Sequence, residues 1–227
     1  MTTFAVVHGA GGSAWEWHLV RDELTARGHA TVAVDLPSED ESADLWAYAE
    51  TVVAAVRAAQ AEDVVVVAHS LGGFVAPLVA ARIPVRRLVL VSAMVPAPGE
   101  TAGEWWDTSG YREATADARP DADEMALFLH DVDPELAAEA LRRSRDQADR
   151  MMADPWPLAA WPDVPTSFLV PRDDRVFPSS FLRTHARERL GVTADEMPGS
   201  HCVYLSRPAE LADRLVAYAE LGPPARR

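Results

Sequence analysis

The chain contains no lysine and no asparagine, and all 21 of its basic residues are arginine. Without lysine there is no Schiff-base nucleophile, no pyridoxal anchor and no phosphate-cradling P-loop lysine. Without asparagine there is no N-glycosylation acceptor and no Cys-His-Asn protease arrangement. Cysteine is nearly absent as well. Cys202 stands alone, which excludes an internal disulfide and a cysteine-based metal cluster. No window approaches the roughly 18 consecutive apolar residues of a membrane span. Met1-Thr2-Thr3 lacks the basic leader and long apolar stretch of a signal peptide. Positive charge is in deficit, 21 basic residues against 35 acidic giving −14, and that sum repels phosphate backbones and anionic membranes. The expectation is a soluble, cytoplasmic protein without nucleic-acid or membrane partners. At 227 residues it forms one domain with a sizeable core.

What the chain does have is short apolar runs alternating with longer amphipathic stretches, the pattern of a parallel sheet covered by helices. Strands are expected at Phe4–Val7, Ala30–Val34, Val64–Val67, Leu88–Val91, Ser167–Val170 and near Val192–Met197. Ser13 and Glu16 form a capping box opening a helix that Gly28 closes. A helix kinked by Pro77 is expected from Leu71 to Arg82. Residues 95–163 break the alternation. They carry Trp105, Trp106, Trp156 and Trp161, with helical patterns at Ala122–His130 and Pro134–Gln147. This stretch reads as a helical cap inserted into a core formed by residues 1–94 and 164–227.

The chemistry concentrates where strands end. Ala68-His69-Ser70-Leu71-Gly72-Gly73 lies between a buried strand and a helix, with small residues two before and two after the serine. Strand and helix approach closely at such a turn, which lifts Ser70 Oγ above the sheet edge. His8-Gly9-Ala10-Gly11-Gly12 follows the first strand. Its glycines allow the Ala10 amide to face the serine and, with the Leu71 amide, to donate to a tetrahedral oxyanion. Pro171-Arg172-Asp173-Asp174-Arg175 follows the fifth strand, and Gly199-Ser200-His201 the sixth. Nucleophile, acid and base then run Ser70, Asp174, His201, each beyond the carboxyl end of a strand. Asp174 is preferred over Asp173 because it lies one step further past the strand end.

These motifs, together with Ala14-Trp15, Asp174-Arg175-Val176-Phe177-Pro178 and Pro198-Gly199-Ser200-His201, resemble the α/β-hydrolase superfamily over nearly the full length. Within it the chain looks like the small plant-type esterase and hydroxynitrile lyase family and its bacterial relatives. The resemblance implies an α/β-hydrolase fold with about six mainly parallel strands, helices on both faces and a helical cap. It also supports Asp174 as the acid and Ala10 as an oxyanion donor. Members that split cyanohydrins carry Thr after the loop histidine and Lys after the catalytic histidine. Gly9 and Cys202 stand there in this chain, which favours the esterase version.

The expected activity is cleavage of a small to medium, largely apolar or aromatic ester through an acyl-enzyme, with no cofactor and no metal. Gly9, His69, Trp105, Trp106 and Cys202 are candidates for the substrate pocket. A cyclase, acyltransferase or lyase on the same scaffold, or a ligand-binding protein with slow turnover, are the alternatives. His8 is expected to order its own loop and His69 to pack rather than act as a base. Neither they nor His18, His29, His130 and His185 show metal-ligand spacing. Cys202 reads as a buried small hydrophobe. Oligomeric state is not encoded in any of these signals.

Overall fold

The structure, a computed structural model, describes residues 1–116 and 123–222. The chain runs β1 (Thr3–Val7), α1 (His18–Ala26), β2 (Ala30–Ala33), α2 (Leu45–Ala58), β3 (Val64–His69), α3 (Ala76–Ala80) and β4 (Arg87–Val91). Five short helices follow: α4 (Ala102–Thr108), α5 (Tyr111–Ala114), α6 (Glu124–Phe128), α7 (Pro134–Arg142) and α8 (Asp149–Ala153). The chain then completes the sheet with β5 (Thr166–Pro171), α9 (Ser179–Leu190), β6 (Asp195–Met197), α10 (Val203–Ser206) and α11 (Pro208–Glu220).

The six strands form one sheet in the order β2-β1-β3-β4-β5-β6, every neighbouring pair parallel. Alternation of side chains divides each central strand between two cores. Val64, Val66 and Ala68 face one core, packed with Val52, Val53 and Leu78, while Val65 and Val67 face the other, with Leu24, Leu211 and Leu215. Strands buried on both faces need apolar residues at every position, which is why the sequence shows continuous runs there. After β2 the chain returns to the opposite side of β1, so the switch in strand order falls between β1 and β3. An open α/β sheet gathers its functional groups outside such a crevice.

Two expected helices differ from expectation. In place of one kinked helix from Leu71 to Arg82, a 3₁₀ turn (Ser70–Phe74) is followed by α3, with Pro77 in its first turn. Proline lacks an N–H and is accommodated where that donor has no acceptor anyway. The pattern assigned to Pro134–Gln147 stops at Arg142, where the chain turns to bond elsewhere: Arg145 N–H donates to Gly11 C=O at 2.8 Å. Ala122, the expected start of another helix, lies outside the described residues, and α6 covers the described part of that pattern. Among the described residues, no helix is long and apolar enough to cross a membrane.

Candidate active site

Ser70 sits at the carboxyl end of β3 with φ of 50°, a left-handed conformation that non-glycine residues rarely adopt. Such backbone costs on the order of 1–3 kcal/mol and persists only where its surroundings fix it. Two features do so here. The Ser70 C=O accepts from Met94 N–H at 3.0 Å. A Cβ on Gly72 would lie 2.6 Å from Val7 C=O, so only glycine lets the turn close onto β1. Gly73 is equally confined, its missing Cβ being occupied by Met94 C=O.

His201 is buried, and its Nδ1 lies 2.8 Å from Asp174 Oδ2. A carboxylate oxygen only accepts, so the shared proton belongs on Nδ1 and Nε2 is left as the basic nitrogen. The acid is held from both sides. Asp174 Oδ1 accepts from Val176 N–H at 2.8 Å and Phe177 N–H at 2.9 Å, and Oδ2 also accepts from the Ser92 hydroxyl. The neighbouring Asp173 does not reach the imidazole. Its carboxylate accepts from Gly199 N–H at 3.0 Å, tying the β5 loop to the β6 loop.

Ser70 and His201 line one cavity of about 230 Å³ with Gly9, Ala10, His69, Trp106, Phe128, Phe177, Cys202 and Tyr204. Gly9 packs closely on the serine, since a Cβ there would lie 3.0 Å from Ser70 Cβ and 3.2 Å from His69 Nδ1. The Ala10 N–H has no acceptor among the described residues, and the Leu71 N–H belongs to the first turn of a helix, where no intrahelical acceptor exists. His8 orders this loop from below. Its Nε2 accepts from Leu36 N–H at 3.0 Å, which leaves Nδ1–H to donate to Gly9 C=O at 2.9 Å. His69 donates from Nε2 to His201 C=O at 3.1 Å, and burial together with His201 holds its pKa well below the ordinary value. It is a neutral wall residue.

Trp105 does not line the cavity and corrects the expectation. It is fully buried, donating from Nε1 to Val95 C=O at 3.2 Å and packing against Phe177, Phe181 and His185, while the next residue, Trp106, reaches the cavity. Consecutive helical residues point about 100° apart, so only one of the pair can do so. Cys202 lines the cavity, but burial pushes its thiol pKa up, and Tyr204 donates to its sulfur at 3.2 Å. It is therefore a poor nucleophile. Among the described residues, no group of three or more His, Cys, Asp or Glu is placed to hold a metal ion.

Three participants escaped the sequence reading. Ser92, φ 44°, is buried at the end of β4 and touches both Asp174 and His201, at 3.3 Å from His201 Nδ1. Its signal was available: a small polar residue directly after the apolar run Leu88–Val91. Glu16 accepts from Ser13 N–H at 3.4 Å, as a capping residue should, yet its carboxyl also lines the cavity. Burial raises its pKa to about 7 against the opposing effects of the Ser13 bond, Tyr204 and His201. The third is the stretch around α6. His130 Nε2 donates to Asp173 C=O at 2.9 Å, and Arg175 Nη1 to Ala126 C=O at 3.0 Å. Ser200 N–H donates to Asp131 Oδ2 at 3.0 Å, Cys202 N–H to Phe128 C=O at 3.3 Å, and the Phe128 ring meets His201 edge-on.

A parallel sheet whose switch point carries this serine turn, with aspartate and histidine following in chain order, defines an α/β-hydrolase. The chain matches the alpha/beta hydrolase family over residues 4–214 and belongs to it. Within that family it is of the plant esterase type. It is 30% identical to the probable esterase PIR7A of rice (Oryza sativa), across 95% of this chain and 96% of that protein. It is 36% identical to methylesterase 7 of Arabidopsis thaliana over 104 residues, 41% of this chain and 40% of the relative. The fold is shared with polyneuridine aldehyde esterase at a TM-score of 0.80 and 23% identity, covering 97% of this chain and 100% of that one. A pyrethroid hydrolase from Sphingobium faniae superposes with a TM-score of 0.78 at 24% identity, covering 96% and 97%.

Proposed function

We propose that the protein is a carboxylic ester hydrolase that works through an acyl-enzyme on Ser70, with His201 as base and Asp174 as its partner. The observation that carries this reading is the buried bond from His201 Nδ1 to Asp174, which leaves the opposite nitrogen of His201 basic in the cavity that also holds Ser70 Oγ. Ser70 Oγ attacks the ester carbonyl carbon while His201 Nε2 takes its proton, and the Ala10 and Leu71 amides donate to the oxyanion. The protonated imidazole then gives that proton to the leaving alcohol. Water, deprotonated by the same nitrogen, attacks the acyl-enzyme and releases the acid.

Residues 95–163 act as a cap, supplying Trp106, Phe128, Leu129 and Leu141 to the cavity wall. With Val176 and Phe177 opposite, the walls suit a small to medium acyl or alkoxy group that is largely apolar or aromatic. Hydrolysis is favoured over cyanohydrin cleavage because Gly9 supplies no hydroxyl beside Ser70, and Cys202 carries no positive charge.

A fluorophosphonate probe tests the nucleophile. Wild-type protein is expected to label stoichiometrically and Ser70→Ala not at all; absence of wild-type labelling overturns the assignment. Turnover of aryl and alkyl esters in ¹⁸O-water should place the label in the acid, and an unlabelled product would exclude hydrolysis.

A further inference from the structure

We propose that this cavity selects esters whose acid or alcohol half carries a cationic amine, with Glu16 as the ionic partner and the surrounding rings as a cage. The inference rests on the ester-hydrolase reading and assigns the substrate class of the same site.

Apart from the base His201, the described walls of the cavity are acidic, aromatic or aliphatic. Glu16 lines its interior and Glu124 its exposed rim, while among the described residues no arginine contributes to the lining. Besides His201, its remaining polar side chains are neutral: the hydroxyls of Ser70, Ser144 and Tyr204, the thiol of Cys202 and the imidazole of His69. A substrate carboxylate entering here would meet like charge with no arginine to compensate it among the described residues, whereas an ammonium would meet Glu16 and the rings of Trp106, Phe128 and Phe177. Cations over aromatic faces gain most where water is excluded.

Glu16 differs from the other enclosed glutamate. Buried Glu100 pairs with Arg189, whereas Glu16, in the cavity wall, pairs with no arginine among the described residues. A carboxylate withdrawn from water without a cation is costly, and its raised pKa expresses that cost. Helix capping alone does not account for it. Accepting from Ser13 N–H needs only an oxygen, which glutamine supplies equally well. The charge can serve the His201 imidazolium that forms during turnover, and a cationic substrate would meet it already in the ground state.

Glu16→Gln therefore removes the charge while keeping the capping acceptor. The test compares 2-(trimethylammonio)ethyl and 3,3-dimethylbutyl esters of acetic and phenylacetic acid at pH 8. The two alcohols match in shape and differ by one positive charge. Wild type is expected to favour the cationic ester at least tenfold in kcat/KM. Glu16→Gln should reduce that ratio about tenfold, chiefly through KM, and Glu124→Gln, at the rim, should reduce it less. A wild-type ratio at or below one, or a ratio unchanged in Glu16→Gln, overturns the inference while leaving the hydrolase reading intact. If neither ester is turned over in a Ser70-dependent manner, the hydrolase reading fails and this inference falls with it.

Discussion

Replacing Asp174 with asparagine separates a catalytic carboxylate from a structural one, because the structure fixes what an amide could do at that position. Four donors converge on the wild-type group: Val176 and Phe177 N–H on Oδ1, Ser92 hydroxyl and His201 Nδ1–H on Oδ2. Asparagine offers one acceptor oxygen. Two buried backbone N–H groups left unpaired would cost about 1–3 kcal/mol each, so the oxygen stays with them and the NH₂ turns toward Ser92 and His201. The serine hydroxyl can rotate to accept. His201 can accept only by moving its proton to Nε2, which abolishes the nitrogen that takes the Ser70 proton in the proposed mechanism. Loss of the correct tautomer costs about 10⁴ in kcat, or roughly 5 kcal/mol of transition-state stabilisation. Asp173→Asn, by contrast, keeps an oxygen for Gly199 N–H and should lose less than about tenfold. Steady-state hydrolysis of p-nitrophenyl acetate, referenced to Ser70→Ala, with melting curves to confirm folding, measures both variants. Equal losses in the two, or more than a tenth of wild-type kcat in Asp174→Asn, would refute the reasoning.

Two further outcomes follow from other contacts. Asp131→Ala leaves the Ser200 N–H, next to the base, without its acceptor. It should lower kcat about tenfold with KM little changed, and Asp131→Asn, which retains an oxygen, should recover most of that loss; equal effects would point to a charge role instead. Buried His185, its pKa lowered to about 4 by burial and Arg189, binds its proton less readily folded than unfolded. Its contribution is complete above pH 6.5 and lost as pH falls through 4, about 3 kcal/mol in all. His8 and His69 act in the same direction, while Glu16, raised to about 7, opposes them between roughly pH 4.5 and 7. Urea unfolding at pH 7 and 5 should show a smaller acid loss for His185→Gln than for wild type. An identical loss would mean that His185 is not buried neutral.

The sheet was legible because its strands are buried on both faces, and Val64–Val67 or Leu88–Val91 can be little else. The serine turn was legible because its glycines answer to backbone oxygens of β1 and of the segment after β4. The preference for Asp174 over Asp173 came from its place past the strand end together with the family resemblance. What stayed hidden depends on partners remote in sequence. Nothing local distinguishes Trp105 from Trp106, since the choice is made by Phe181 and His185 more than seventy residues away. Glu16 satisfies its local capping role so well that its second face went unseen. The end of α7 was set by Gly11 rather than by helix propensity.

The stretch at and just after α6 has a consequence for engineering. It contributes wall to the cavity and, through Ala126, Phe128, His130 and Asp131, it also moors both loops that bear Asp174 and His201. The proposed cap is thus not an exchangeable roof. A chimera that imported another protein's segment whole would alter which molecule enters and, in the same stroke, unmoor the base. Libraries aimed at new substrates should vary α4, α7 and α8 and hold residues 126–131 constant. A swap respecting that boundary would change selectivity alone, and one crossing it would be mistaken for a failure of the chemistry.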